Sequence, residues 1–215
     1  SLKLINKKQK KQGGRVFLAI YAALSGVVGA IFHIRVINAE NEPVDGGFVV
    51  CANHTSALDP ILVCYAFRRH QICFMAKKEL FQNKLAAKFF TSLGAYPIDR
   101  SGADVGAVKG TIRLLQDGHC TALFPQGTRC PKVHPSQTKI KSGAGLIAAR
   151  AGVPVLPVLI RSRDWRVGLF HRTEIVIGKP IMPEEFMPRT EGERANYAEV
   201  SRMIFDRICA LEDVK

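Results

Sequence analysis

Short apolar runs of strand length recur along most of this chain, and stretches of helix length lie between them. The runs occupy residues 34–39, 48–52, 72–76, 96–98, 121–124, 155–160 and 174–177. Strands that alternate with helices build a mostly parallel sheet, because helices form the crossovers and cover the faces of the sheet. The pattern predicts an α/β fold: a mixed, mostly parallel central sheet flanked by helices.

The segments between these runs predict five helices. One follows Asp59, another lies around residues 78–93, and a third covers about 103–117. A short helix follows Ser142, and a longer one spans about 193–212, where apolar residues recur at helical spacing.

The loop Asn-His-Thr-Ser-Ala-Leu-Asp-Pro at 53–60 joins an apolar run to a predicted helix. Proline after Asp59 favours a helix that begins there, with Asp59 as its N-cap. In one regular helix, His54 and Asp59 would lie about 140° apart, whereas a strand-loop-helix turn lets the carboxylate meet the imidazole. That pairing fixes the tautomer and makes His54 a general base for a hydroxyl. Alternatively, Asp59 only caps its helix and His54 bonds to backbone.

The first 34 residues predict membrane contact. Six basic side chains and no acidic ones occupy residues 1–15, and residues 16–34 are almost wholly apolar. A cleavable signal peptide, a single span and a re-entrant or interfacial anchor all fit this pattern. Scattered cysteines without a C-x-x-C pair indicate a reducing compartment, neither a zinc site nor a disulfide framework. We therefore prefer an anchor that keeps the tail and the body on the cytoplasmic side, with a membrane-associating helical segment at 1–33 and one domain at 34–215.

Three further segments suggest that the domain binds an anion, as does a net charge of +13. Arg100 follows the run at 96–98, where its guanidinium can grip a phosphate. Thr128 and Arg129 follow the run at 121–124 through Gly127, at the strand end where α/β sheets bind ligands. Lys141 precedes a helix start, which also favours anions. Taken alone, the Arg100 segment also fits a surface ion pair, and the Arg129 segment also fits a surface turn with a solvated arginine.

The ordered segments NHTSALD (53–59), GAYPIDR (94–100), FPQGTR (124–129) and VPVLPV (153–158) resemble the four motifs of glycerolipid acyltransferases, specifically the lysophosphatidic acid acyltransferases. The resemblance covers roughly residues 33–180. It implies that residues 34–215 form an acyltransferase catalytic domain.

By position, the resemblance implies that His54 is the catalytic base and Asp59 its partner. It also implies that the glycerol phosphate of the acceptor is held by two arginines and one turn: Arg100, Arg129, Gln126, Gly127 and Thr128. The family usually has Glu where this chain has Gln126, so a charge is lost while an acceptor oxygen is kept. Lys141 is added to the phosphate site from its charge and position alone.

The implied reaction transfers an acyl group from acyl-CoA or acyl-carrier protein to the sn-2 hydroxyl of lysophosphatidate at the cytoplasmic face of an anionic membrane. It is expected to need no metal or other cofactor and no serine or cysteine nucleophile. No G-x-S-x-G serine elbow is present in the sequence. Glycerol-3-phosphate or another lysolipid are alternative acceptors. A basic membrane- or nucleic-acid-binding protein is the non-enzymatic alternative, but no RNP-like pattern indicates nucleic acid.

Overall fold

The computed structural model describes Gly29 and residues 33–98, 105–168, 171–188 and 195–214. Apart from Gly29 and His33, the predicted membrane-associating segment at 1–33 lies outside the described residues, and so does Arg100. Within the described ranges, no helix combines the length and the apolar character needed to cross a lipid bilayer.

Seven strands in the described part of the chain form one sheet in the order β1-β7-β6-β2-β5-β3-β4. All neighbouring pairs are parallel except β6 and β7, which are antiparallel. The predicted α/β class, with a mixed and mostly parallel sheet, is therefore confirmed. The strands are β1 (Ile34–Ile37), β2 (Val49–Ala52), β3 (Ile72–Lys77), β4 (Ala95–Ile98), β5 (Cys120–Leu123), β6 (Val155–Ser162) and β7 (Thr173–Ile177).

The α-helices in the described ranges are α1 (Asp59–Ala66), α2 (Lys84–Ser92), α3 (Val105–Gln116), α4 (Gly143–Ala151) and α5 (Tyr197–Cys209). The single helix predicted around 78–93 is wrong, because this stretch forms a 3-10 helix, Lys78–Phe81, and then α2. Asn83 separates them. Its side chain accepts hydrogen bonds from the backbone N–H groups of Leu85 and Ala86, so a new helix begins at Lys84.

The helices cover both faces of the sheet. Side chains of β2 alternate between the faces: Val50 and Ala52 pack in the core beneath α1, whereas Val49 and Cys51 pack beneath α3, α4 and α5. Helices α4 and α5 meet closely at Gly145, where a Cβ would lie 2.2 Å from the carbonyl oxygen of Tyr197. Because both faces are covered, the open places for a ligand are the edges where the strands end.

A buried carboxylate organises the edge at which β2 and β3 begin. Glu42 is 5% exposed, and its oxygens accept hydrogen bonds from the backbone N–H groups of Arg68, Arg69 and His70, at 3.2, 2.9 and 3.1 Å. Its Oε1 also lies 3.1 Å from His70 Nδ1. This one side chain ties the segment before β2 to the turn between α1 and β3.

We expect Glu42→Ala to lower the free energy of unfolding by about 3 kcal/mol, because three backbone donors in the turn lose their acceptor. Urea denaturation followed by circular dichroism measures the change. Glu40→Ala is the matched control, since Glu40 is exposed in the neighbouring 3-10 helix and should change stability by less than about 0.5 kcal/mol. Equal effects of the two substitutions would contradict the assigned role of Glu42.

Candidate active site

Asn53 fixes the start of the loop that follows β2. Its side chain is fully buried, its Nδ2 donates to the carbonyl oxygen of Ile160 at 3.0 Å, and its Oδ1 accepts from the N–H of Ile160 at 2.7 Å. This two-way link joins the loop to β6. The backbone that carries His54 therefore leaves the sheet in a defined direction.

Asp59 is the first residue of α1, and the prediction that it is the N-cap is wrong, because Leu58 occupies that position. Its carboxylate turns back toward the loop and does not cap the helix. Asp59 Oδ2 accepts hydrogen bonds from the backbone N–H groups of Thr55 at 2.6 Å and Ser56 at 2.8 Å. The same oxygen lies 2.8 Å from His54 Nδ1, and the Asp59 side chain is fully buried. The structure thus brings together the two residues that the sequence predicts as a pair.

This contact determines which ring nitrogen of His54 can take a proton. An ionised carboxylate only accepts hydrogen bonds, so Nδ1 must carry the hydrogen that it shares with Asp59. In the neutral ring, Nε2 then holds the lone pair. The imidazole stacks on the ring of Phe124, with centroids 4.2 Å apart and an interplanar angle of 22°, and its side chain is 15% exposed. The ring is held on one side and is still reachable from solvent.

The segment after β5 holds the backbone of His54 on both sides. Gln126 Oε1 accepts a hydrogen bond from the His54 N–H at 2.6 Å, and the Cys130 N–H donates to the His54 carbonyl oxygen at 2.8 Å. Gln126 is 2% exposed, and its Nε2 donates to Thr138 Oγ1 at 2.9 Å. The hydroxyl of Thr138 donates in turn to the carbonyl oxygen of Pro135. Both polar atoms of the Gln126 amide therefore have partners inside the protein.

The turn at Gly127 carries the predicted anion-binding side chains. Gly127 has φ +66, and a Cβ there would lie 2.8 Å from Cδ and 3.4 Å from Nζ of Lys141. The Lys141 N–H also donates to the carbonyl oxygen of Pro125 at 2.8 Å, which keeps its side chain beside the turn. Thr128 and Arg129, the next two residues, are exposed. Glycine here meets two demands: a left-handed backbone and room for a cationic side chain.

Sequence reasoning missed three residues that shape the site: Asn53, Phe124 and Thr138. Asn53 directly precedes His54, and Phe124 ends the apolar run at 121–124. The sequence therefore places both residues at the ends of strands, where the site is predicted. Thr138 had none, because its contact with Gln126 spans 12 residues and depends on how the intervening loop folds.

The cysteine thiols next to the site are poor nucleophiles where they are buried. None of the six cysteines, all of which lie in the described ranges, forms a disulfide. Burial raises the pKa of Cys51, three residues before His54, and raises the pKa of Cys120 on β5 to about 12. These two thiols therefore stay protonated near neutral pH. Cys130 contributes its backbone N–H to His54, as described above.

The family model for acyltransferases matches residues 33–161, a range that begins just before β1 and ends within β6. It includes the His54–Asp59 loop and the Gly127 turn. This chain belongs to the acyltransferase family. The match confirms the resemblance predicted from the four ordered motifs and identifies the protein as an acyltransferase.

Two of the relatives each match over more than four fifths of the chain. A 1-acyl-sn-glycerol-3-phosphate acyltransferase of Bacillus subtilis is 33% identical over 84% of this chain and 88% of its own length. An enzyme of the same name from Streptococcus pneumoniae is 31% identical over 82% of this chain and 67% of its own length. The crystal structure of the 1-acyl-sn-glycerophosphate acyltransferase PlsC from Thermotoga maritima has a TM-score of 0.67 at 22% identity, covering 99% of this chain and 89% of that one. The fold is therefore shared with PlsC.

We expect Gln126→Ala to lower the free energy of unfolding by about 2 kcal/mol, because the part-buried His54 N–H and the Thr138 hydroxyl both lose a partner. Gln126→Glu should cost less, since a carboxylate still accepts from the His54 N–H. Urea denaturation measures both changes. Gln137→Ala is the control, because Gln137 is exposed in the adjacent 3-10 helix. If Gln126→Ala and Gln137→Ala change the free energy of unfolding equally, the hydrogen bonds of the Gln126 amide to His54 and Thr138 do not stabilise the fold.

Proposed function

We propose that this acyltransferase moves an acyl group from acyl-CoA or acyl-carrier protein to the sn-2 hydroxyl of 1-acyl-sn-glycerol-3-phosphate, which yields phosphatidic acid. The names of the Bacillus subtilis and Streptococcus pneumoniae relatives support this acceptor. The observation that carries the mechanism is the 2.8 Å contact between His54 Nδ1 and Asp59 Oδ2. Because Nδ1 is engaged by Asp59, Nε2 is the ring nitrogen that can act as the base.

In the proposed reaction, His54 Nε2 takes the proton of the acceptor hydroxyl. At the same time, the oxygen of that hydroxyl attacks the carbonyl carbon of the thioester. The new C–O bond gives a tetrahedral intermediate, which collapses as the C–S bond breaks. The imidazolium then returns its proton to the departing sulfur, and the products are the ester and a free thiol. No covalent intermediate on the protein is required.

Asp59 contributes by stabilising the imidazolium and by holding the ring in one orientation. Its own orientation is fixed by the N–H groups of Thr55 and Ser56, which bind the same oxygen as the imidazole. A carboxylate with three short contacts cannot swing away as the charge on His54 changes. The base is therefore organised before the substrate arrives, which lowers the barrier through orientation.

We assign the phosphate of the acceptor to the cationic and hydroxyl side chains around the Gly127 turn: Thr128, Arg129 and Lys141. Arg100, which lies outside the described residues, is part of the same assignment. An arginine fork matches phosphate oxygens in a bidentate geometry, and the nearby lysine adds charge. Gln126 was predicted to contact substrate as well. Because its amide bonds to His54 and Thr138, we propose that it acts mainly by supporting the base.

The remaining expectations belong to the same proposal. The protein is expected to work at the cytoplasmic face of an anionic membrane, without a metal or other cofactor, and residues 1–33 are expected to supply an anchor. A non-enzymatic nucleic-acid-binding protein does not account for membership of the acyltransferase family. Glycerol-3-phosphate and other lysolipids are acceptors that a direct assay separates from lysophosphatidate.

We expect His54→Ala and Asp59→Asn each to lower kcat by about 10²–10⁴-fold, because the first removes the base and the second removes the charge that stabilises its protonated form. Release of free thiol from an acyl thioester, with lysophosphatidate as acceptor, measures the rate. Normal circular dichroism spectra of the variants would show that the fold survives.

Cys130→Ala is the matched control for this experiment. Cys130 lies beside His54, but its contact with the histidine is made by the backbone N–H, which the substitution keeps. Direct transfer predicts nearly unchanged thiol release in this variant. Full activity in His54→Ala, or a large loss in Cys130→Ala, would refute the proposed mechanism.

We expect Arg129→Ala to raise KM for lysophosphatidate by about tenfold or more with a smaller change in kcat, because one charge-assisted contact to the phosphate is lost. Steady-state rates at varied acceptor concentration separate the two constants. Arg113→Ala is the control, since Arg113 is exposed on α3, outside the motif. With an uncharged monoacylglycerol acceptor, the two variants should match. An unchanged KM in Arg129→Ala would place the phosphate elsewhere.

A further inference from the structure

Helix α2 exposes apolar side chains that its packing does not use. Leu85 is 80% exposed and Phe89 is 46% exposed. They lie four residues apart and therefore share one side of the helix. Leu80, in the preceding 3-10 helix, is 42% exposed. We call Leu80, Leu85 and Phe89 the α2 apolar patch.

The core does not require this patch. Helix α2 faces the core with Phe90, which packs against the same cluster as Phe81 at a ring separation of 6.2 Å. Phe89 contacts the ring of Phe90 in an edge-to-face arrangement, with centroids 5.5 Å apart, and is itself 46% exposed. Single exposed apolar residues are common on protein surfaces, but a group of three on adjoining elements indicates a binding surface.

The charges around the patch identify the kind of surface that fits it. Residues 77–92 contain four lysines and one acidic residue, Glu79. Lys77, Lys84 and Lys88 are exposed, and the last two lie on α2 itself. Apolar side chains flanked by lysines on one short helix are typical of helices that lie in a bilayer interface, where the lysine heads stay at the level of the lipid headgroups. A lipid surface with anionic headgroups meets both features.

The patch begins at the edge of the sheet that carries the candidate active site. Strand β3 ends at Lys77, and it runs parallel to β5, which runs parallel to β2. The carboxyl ends of β3 and β2 therefore share one edge, about 10 Å apart across two interstrand spacings. His54 follows the end of β2, and Leu80 follows the end of β3. A surface that contacts the patch thus lies close to the site.

A second observation places Gly29 on the same face of the sheet. A Cβ on Gly29 would lie 2.9 Å from the hydroxyl of Tyr65 on α1. Tyr65, Phe81 and Phe90 all pack against one core cluster. Gly29 therefore lies on the face that carries α1 and α2.

We propose that the α2 apolar patch inserts into an anionic lipid surface and is a second membrane contact, separate from residues 1–33. Two contacts fix the rotation of a domain on a membrane, which one contact leaves free. The second contact holds the edge that carries His54 toward the lipid. This inference concerns lipid binding and stands whether or not the proposed acyl transfer is correct.

Tryptophan fluorescence in the full chain tests the insertion directly. Trp165 is the single tryptophan, so Leu85→Trp combined with Trp165→Phe reports on the patch alone. Vesicles of phosphatidylglycerol with brominated acyl chains should shift its emission to the blue and quench it. Val44→Trp in the same background is the control, because Val44 is 71% exposed in the loop before β2, at the opposite edge. Its emission should stay unquenched.

Two other outcomes of this experiment would overturn the proposal. One is emission at residue 85 that is already blue without vesicles and is not quenched by brominated lipid, which would show that a segment of the chain itself covers the patch. The other is equal quenching at positions 85 and 44, which would show that the domain has no preferred orientation on the membrane.

Vesicle sedimentation provides an independent measurement. Leu85→Gln combined with Phe89→Gln should weaken binding of the full chain to phosphatidylglycerol vesicles at least tenfold, with an unchanged melting curve. Val44→Gln combined with Met182→Gln, two residues that are 71% and 46% exposed near the opposite edge, should bind as the unmodified chain does. Binding that the α2 substitutions leave unchanged would overturn the proposal. Neither readout requires turnover, so failure of the proposed acyl transfer would leave the fluorescence and sedimentation results intact.

Discussion

The candidate site depends on one carboxylate oxygen with three donors. Asp59 Oδ2 receives the N–H groups of Thr55 and Ser56 and faces Nδ1 of His54, all within 2.8 Å. A fully buried carboxylate would be costly without such partners, because burial removes its hydration. The loop supplies them by folding over the first turn of α1. The same contacts that compensate for burial of the charge also orient the histidine, so stability and chemistry share one arrangement.

The neighbouring segment completes this arrangement because β2 and β5 are adjacent in the sheet. Their carboxyl ends bring Gln126 and Cys130 against both backbone polar groups of His54, and Phe124 against its ring. In this chain an amide occupies the position where the resemblance predicts a carboxylate. An amide can both accept from the His54 N–H and donate to Thr138, whereas a carboxylate can only accept. Through this amide, the loop that carries Thr138 is linked to the backbone of His54.

Local patterns predicted the strands and the His54–Asp59 contact because each depends on residues close in sequence. The seven apolar runs correspond to the seven strands of the sheet in the described part of the chain, and Asn53 to Leu58 form the expected turn between β2 and α1. The errors arose where local signals compete. Asn83 caps a new helix within a stretch whose pattern is helical throughout. The carboxylate of Asp59 accepts hydrogen bonds from the preceding loop and does not cap α1. The contact between Gln126 and Thr138 was not predictable, because it joins segments through a loop without periodicity.

The antiparallel pairing of β6 and β7 has a geometric consequence for how the chain enters the domain. Strand β1 runs parallel to β7, so it runs opposite to β6 and β2. Its first residue, Ile34, therefore lies at the edge where β2 ends and His54 follows, about 15 Å away across three interstrand spacings. Residue 33 therefore joins the domain beside the candidate site. If the preceding segment anchors the domain in a membrane, as proposed, an acceptor dissolved in the lipid leaflet would meet the site by a two-dimensional encounter at high effective concentration.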